Sequence, residues 1–291
     1  ARCVELIREA DLVINLCGAS RPRDEYGDAR LLYLETDPGG LQGALDRGEA
    51  EAIRYAAAHK LFFTYGYNIG APDCVIPTAG IEWHKTRPPV LLDEWHPGAA
   101  PASPRAFTTV GTWRNKGGDV DIGGEFYRWS KHLNFEKLLE VARGADQPIE
   151  IATDLDSGPT YERALEGGFS FVPVVPMSLD IDDYRNYICS SRGEFTASKD
   201  LYVRTRSGWF SDRTVCYLAA GRPAVTQFTG FEKYLPTGEG LLGFHGADDA
   251  AAAIRAVNSD YARHAARARE IAREYFDAAR LLDEIARTAG L

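Results

Sequence analysis

Several absences narrow the chain before any motif is read. No run of about 18 apolar residues occurs, so the sequence carries no membrane-spanning segment. No signal peptide is visible. The five cysteines, Cys3, Cys17, Cys74, Cys189 and Cys216, form no CxxC pair, and no Cys or His pair has zinc-ligand spacing. Reduced, buried thiols in a cytoplasmic protein are the expectation. Basic residues are in deficit, 33 against 42 acidic, for a net charge of -9, which argues against a whole-surface affinity for nucleic acid or anionic membranes. No GxGxxG follows a strand with an acidic residue about 20 positions on, which disfavours a dinucleotide-dependent dehydrogenase.

What is present is ordinary globular composition: 291 residues, 45% hydrophobic and 26% charged, enough for two domains. Short apolar runs alternate with helical patterns. LVINL (12–16), LLYLE (31–35) and LFFTY (61–65) read as buried strands, with a helix over 49–59. Five prolines between 88 and 104 mark a linker, with a boundary near residue 105. The second half repeats the alternation. Strands are expected at 107–111, 149–153, 193–197 and 224–227, helices at 135–143, 161–165, 181–188 and 248–257, a hairpin around Gly123-Gly124, and one long final helix over 259–289. Strands alternating with helices imply parallel βαβ units, with ligand loops at the carboxyl ends of the strands.

The most informative segment is RTRSGWFSDRTVCYLAAGRP (204–223). Arg204 and Arg206 precede the turn Ser207-Gly208, Ser211 is a good N-cap for a helix beginning at Asp212, and Gly221 is its expected stop. A glycine-containing loop feeding a helix N-terminus favours a phosphate, and Arg204, Arg206 and Arg213 would add charge-assisted hydrogen bonds. Asp212 opposes that charge unless Arg213 offsets it. A second glycine loop, Pro236-Thr237-Gly238-Glu239-Gly240, follows one strand later.

The runs GWFSDRTVCYLAAGRPAVTQFTGF and LPTGEGLLGF resemble the donor-binding half of GT-B glycosyltransferases of the broad group 1 type, including spore-maturation-like bacterial members. The resemblance implies an α/β chain of two Rossmann-like domains facing across a cleft, residues 1–105 on the acceptor side and 106–291 on the donor side. It implies a nucleotide-activated sugar as donor, held mainly by the second domain, and no cofactor or catalytic metal. Arg114 or Lys116 in VGTWRNKG, and Lys131 beyond it, are then candidates for the diphosphate, beside Arg204, Arg206, Ser207, Gly208, Ser211, Asp212, Arg213 and Gly238. Many members carry a pair of glutamates near the helix end. Here that neighbourhood is Val215-Cys216-Tyr217, so Glu239 is the substitute candidate.

A transferase that inverts the sugar needs a base for the acceptor hydroxyl. Asp37, after LLYLE, leads, with His84 and His96 as alternatives, although Asp-Pro-Gly is also a turn signature. The Asp-x-Asp pairs at 119/121, 154/156 and 180/182 read as turns and caps. The first domain is short for this family, and its first strand and helix are expected to be missing. A sugar-nucleotide epimerase, or a catalytically degenerate nucleotide-sugar-binding protein, are the alternatives.

Overall fold

The computed structural model describes residues 2–96 and 106–291. The expected boundary near residue 105 lies outside the described residues, as do Pro97, Pro101 and Pro104. Four strands, β1 (Val13–Leu16), β2 (Leu31–Glu35), β3 (Leu61–Thr64) and β4 (Trp83–Lys85), form a parallel sheet in the order β1-β2-β3-β4. β4 is three residues, Trp-His-Lys, too short and too polar to stand out as a periodic run. Six more strands form the second sheet: β5 (Phe107–Val110), β8 (Ile149–Thr153), β9 (Phe169–Pro173), β10 (Gly193–Thr196), β11 (Ala224–Gln227) and β12 (Leu241–Phe244). Between β5 and β8 lies an antiparallel hairpin, β6 (Val120–Ile122) and β7 (Glu125–Tyr127).

The order of the second sheet is β12-β11-β10-β5-β8-β9, all parallel. This is the doubly wound arrangement, in which the chain reverses direction across the sheet between β5 and β10. All four residues of β5, β10 and β11 are buried, as a parallel sheet covered on both faces requires. One face packs on helices Val141–Ala145 and Ala247–Ser259. The other packs on helices Asp212–Ala219 and Tyr261–Phe276, where Phe210 stacks on Phe276 at 5.2 Å between ring centroids. At roughly 25 cal/mol per Å2 of apolar area, these aromatic side chains carry much of the core.

Two expectations about helices are corrected. Residues 135–143 hold two short helices, His132–Phe135 and Val141–Ala145, rather than one. The final helix is not continuous: Asp277 is extended, with φ -56 and ψ 123, and its carboxylate caps the new helix Ala278–Thr288 through the Arg280 amide. The break exists because the backbone there pairs with Val90, which donates to the Phe276 carbonyl at 2.8 Å and accepts from Ala278 at 3.1 Å. Beyond it Ile285 joins the core of the first sheet with Leu32 and Phe63. Buried thiols are corrected too: all five cysteines are free, Cys3 and Cys17 are exposed, and of the five only Cys189 is buried.

The carboxyl edges of the two sheets face each other. Asp37 follows β2 and reaches Lys199, which follows β10; Trp209 donates its indole N–H to the Thr36 carbonyl at 2.8 Å. Asn68, after β3, is fully buried in this seam. Its amide donates to Ser207 O at 3.0 Å, its side chain donates to Arg206 O at 2.8 Å, and its Oδ1 accepts from Tyr234 at 2.7 Å and Lys233 at 2.9 Å. Gly208 opposite it has φ +74, and a Cβ there would lie 2.4 Å from the Asn68 nitrogen. Gly208→Ala is expected to lower stability by about 1–3 kcal/mol through this overlap, read as a lower urea midpoint.

Candidate functional site at the strand switch point

The crevice beyond the carboxyl ends of β5 and β10 is where a doubly wound sheet binds its ligand. Helix Asp212–Ala219 is aimed there, because its first-turn side chain Arg213 reaches the end of both strands. Arg213 donates through Nε to Glu194 of β10 at 2.6 Å, through Nη1 to the Val110 carbonyl of β5 at 2.9 Å, and through Nη2 to Thr196 Oγ1 at 2.9 Å. Burial pushes the guanidinium down, but the Glu194 carboxylate outweighs it and holds the proton firmly. Glu194 is fully buried, and its Oε2 has no hydrogen-bond partner. This ion pair clamps the helix onto the switch point.

Ser211 occupies the N-cap position as expected, but its side chain makes no capping bond, and Asp212 beside it is exposed. The first-turn amides therefore lack the usual side-chain acceptor. Lys131 lies within electrostatic reach of Asp212 and Arg213, and its side chain makes no hydrogen bond or ion pair with any described residue. Burial, then the charges of Arg213 and Lys199, push its ammonium well below the usual lysine range. A small cavity beside it is lined by Thr109, Gly111, Thr112, Trp113 and Phe135. Lys199 is 9% exposed in its side chain. Its ammonium bonds Asp37 at 2.6 Å and sits 3.5 Å from the centre of the Trp129 ring. Burial lowers its proton affinity and Asp37 restores part of it. Arg114 is exposed at the rim, in the loop after β5 that Asp154 ties down by accepting the Trp113 amide at 2.6 Å.

Other expected site residues lie elsewhere. Arg204 is held by Asp200, by Glu125 of the hairpin and by the Phe126 carbonyl. Arg206, itself in the left-handed region at φ +51, pairs with Asp73 at 2.9 Å and Glu232 at 3.4 Å. Hydrogen bonds from Lys233, Arg206 and Asn68 hold the Asp73 carboxyl well below the usual range. Ser207 and Gly208 are packed into the Asn68 seam. The loop expected to hold a phosphate is therefore a joint between lobes, its cations already matched by carboxylates. Gly238 and Glu239 are also displaced: they immediately precede β12, and in a parallel sheet that places them at the amino edge, away from the crevice. Glu239 pairs there with Arg263. The Asp-x-Asp residues serve loops: Asp119 accepts the Trp129 amide, Asp121 the Gly124 amide, and Asp180 caps helix Ile181–Ser190. Among the described residues no group of three or more His, Cys, Asp and Glu is gathered as ligands for a metal ion. No helix among them is long and apolar enough to cross a membrane.

Sequence reading missed Glu194, Lys199 and Glu35. Lys199 had a signal: it is the first cation past the apolar run at 193–197, on the edge where ligands bind. Glu35, the last residue of β2, is 1% exposed and accepts from Gln42 at 2.6 Å and Thr64 at 2.8 Å. Its Oε1 has no partner, and burial pushes its carboxyl up to about 8 against those two hydrogen bonds. A concavity of about 880 Å3 is lined by residues that include Arg21, Tyr26, Tyr55 and Lys60, and none of the candidate residues lines it.

No family model matches the chain, and no curated protein matches it. Solved structures do. A glycosyltransferase from Rickettsia africae ESF-5 superposes with a TM-score of 0.60 at 12% identity, covering 99% of this chain and 79% of that one. Anabaena HepE, in complex with UDP, gives a TM-score of 0.58 at 16% identity over 99% of this chain and 81% of that one. Sucrose-phosphate synthase from Thermosynechococcus elongatus gives 0.53 at 14% identity over 91% and 68%. At such identities the likeness concerns the fold. The chain has the GT-B architecture, two Rossmann-like lobes facing across a cleft, with no membrane-spanning helix among its described residues.

Glu35 generates a pH test. In the folded protein its carboxyl keeps its proton to about pH 8, whereas unfolded it releases it near 4.5. Between those values the folded state binds more protons, so stability falls as pH rises, by about 1.4 kcal/mol per pH unit for one group. Glu35→Gln is expected to flatten that slope, measured by urea unfolding at pH 5.5, 7 and 8.5. Arg213→Met, which leaves Glu194 buried without its partner, is expected to cost about 3–5 kcal/mol in the same assay.

Proposed function

We propose that the protein is a glycosyltransferase that moves a sugar, of hexosyl type, from a nucleoside diphosphate donor to a hydroxyl acceptor. The observation that carries this reading is Lys131, a partly buried amine whose side chain has no partner among the described residues, in the electrostatic field of Asp212 and Arg213 in the first turn of a helix without a side-chain N-cap. An amine whose proton is disfavoured by burial and by neighbouring cations regains it beside an anion, so the place favours an anionic ligand, and first-turn amides without a side-chain cap in the field of the helix dipole suit phosphate oxygens. HepE is described in complex with UDP, and in a further structure with UDP-glucose, which supports a nucleotide sugar as donor here.

In this reading residues 106–291 form the donor side and residues 1–105 the acceptor side. Lys131 and the amides of Asp212, Arg213 and Thr214 hold the phosphates. Arg114 approaches from the rim, and Arg213 acts by fixing the helix rather than by touching the donor. Asp37 takes the proton of the acceptor hydroxyl as that oxygen bonds the anomeric carbon. The bond from that carbon to the diphosphate breaks, and the leaving oxygen keeps the electron pair. Cationic side chains, rather than a metal, neutralise the diphosphate as it leaves.

The test is calorimetric titration with UDP, GDP and ADP. Lys131→Met is expected to weaken binding of the preferred nucleotide by about 1.5–3 kcal/mol, the range for hydrogen bonds to charged groups, with an unchanged melting temperature. Arg206→Ala is expected to leave nucleotide affinity unchanged, because Asp73 and Glu232 occupy that side chain. A folded wild-type protein that binds none of the three would overturn the reading. Product analysis with and without acceptor separates transfer from epimerisation.

A further inference from the structure

The cations at the switch point are matched unequally. Arg213 has Glu194, a carboxylate of its own lobe. Lys131 has none. Lys199 has Asp37, and that carboxylate comes from the opposite lobe, after β2. The two members of the cross-lobe pair also differ in mobility of setting. The Lys199 side chain is 9% exposed, pressed on the Trp129 ring and close to the buried Tyr202, which stacks on Trp209 at 4.4 Å. The Asp37 side chain is 41% exposed and is held, among the described residues, by Lys199 Nζ and the Tyr202 hydroxyl. If the pair separates, the carboxylate can turn into water at little cost, whereas the ammonium stays in a buried place and requires another anion.

We propose that Asp37 is a stand-in anion. Before the donor binds, its carboxylate neutralises Lys199 across the cleft; the donor diphosphate takes that place, and its arrival releases Asp37 to face the acceptor hydroxyl. Lys199 is thereby a third donor-binding cation beside Lys131 and Arg114, and Asp37 a competitor of the donor for it. The consequence is an order of events. The carboxylate that removes the acceptor proton stays tied up until a donor is present, so the acceptor is activated only when a sugar is available to receive it. The inference rests on the reading of the crevice as a diphosphate site and extends it to a residue pair across the cleft.

The experiment is titration of wild type, Asp37→Asn, Tyr202→Phe and Lys199→Met with UDP and with inorganic pyrophosphate, each variant first compared with wild type by circular dichroism and melting. Removing the competitor raises the fraction of protein ready for the diphosphate, so Asp37→Asn is expected to bind both probes about tenfold more tightly. Tyr202→Phe, which removes one of the two holds on Asp37, is expected to tighten binding by a smaller factor, and it decides the matter if Asp37→Asn does not fold. Lys199→Met is expected to weaken binding of both probes. A merely structural contact predicts looser binding on its removal, so equal or weaker binding by the folded Asp37→Asn and Tyr202→Phe proteins overturns the stand-in role. If pyrophosphate binding tightens while none of the variants binds any nucleoside diphosphate, the stand-in role stands and the nucleotide-sugar reading fails.

Discussion

The Arg213–Glu194 pair is the contact on which the crevice depends. It joins a helix to a strand, and through the Val110 carbonyl to the neighbouring strand, at the one place in the sheet where the winding reverses. Both groups are taken out of water, and such a pair is stable only when its geometry and additional bonds are complete. Its cost is accepted where it fixes the direction of the helix. With Arg213 committed to that task, Lys131 has no side-chain partner among the described residues, Lys199 is paired across the cleft with Asp37, Arg114 is exposed at the rim, and the first-turn amides have no side-chain cap.

The same economy of charge runs through the seam between lobes. Arg204, Arg206 and Lys233 are all matched by carboxylates or carbonyls, two of them across the cleft through Asp73. These exposed pairs contribute little stability individually. Their effect is on register: with buried Asn68 saturated beside them, they hold the β3 end of the first sheet against the loop 205–209. The switch-point cations lie beyond this seam and are incompletely matched. The contrast between a satisfied joint and a less completely satisfied crevice separates Arg204 and Arg206, held by carboxylates, from Lys131, whose side chain has no partner among the described residues.

Much of the fold was legible from short apolar runs. LLYLE, GEFT and AVTQ are buried along their whole length, because a parallel sheet with helices on both faces demands it. The hairpin at Gly123-Gly124 and the Asp180 cap followed from local turn chemistry. β4 and the break at Asp277 were not legible. The first is three residues with no period, and the second is caused by pairing with Val90, far away in sequence.

The sequence by itself determined the parallel α/β fold class and the location of the helix that begins at Asp212, because these follow from local periodicity and turn chemistry. Only the tertiary structure decided which charges are free. A side chain's partner depends on what the fold brings beside it: Asp73 to Arg206, Glu194 to Arg213, Arg263 to Glu239, and no described residue to the side chain of Lys131. Electrostatic pairing acts through space over a few ångströms, and linear spacing does not encode it.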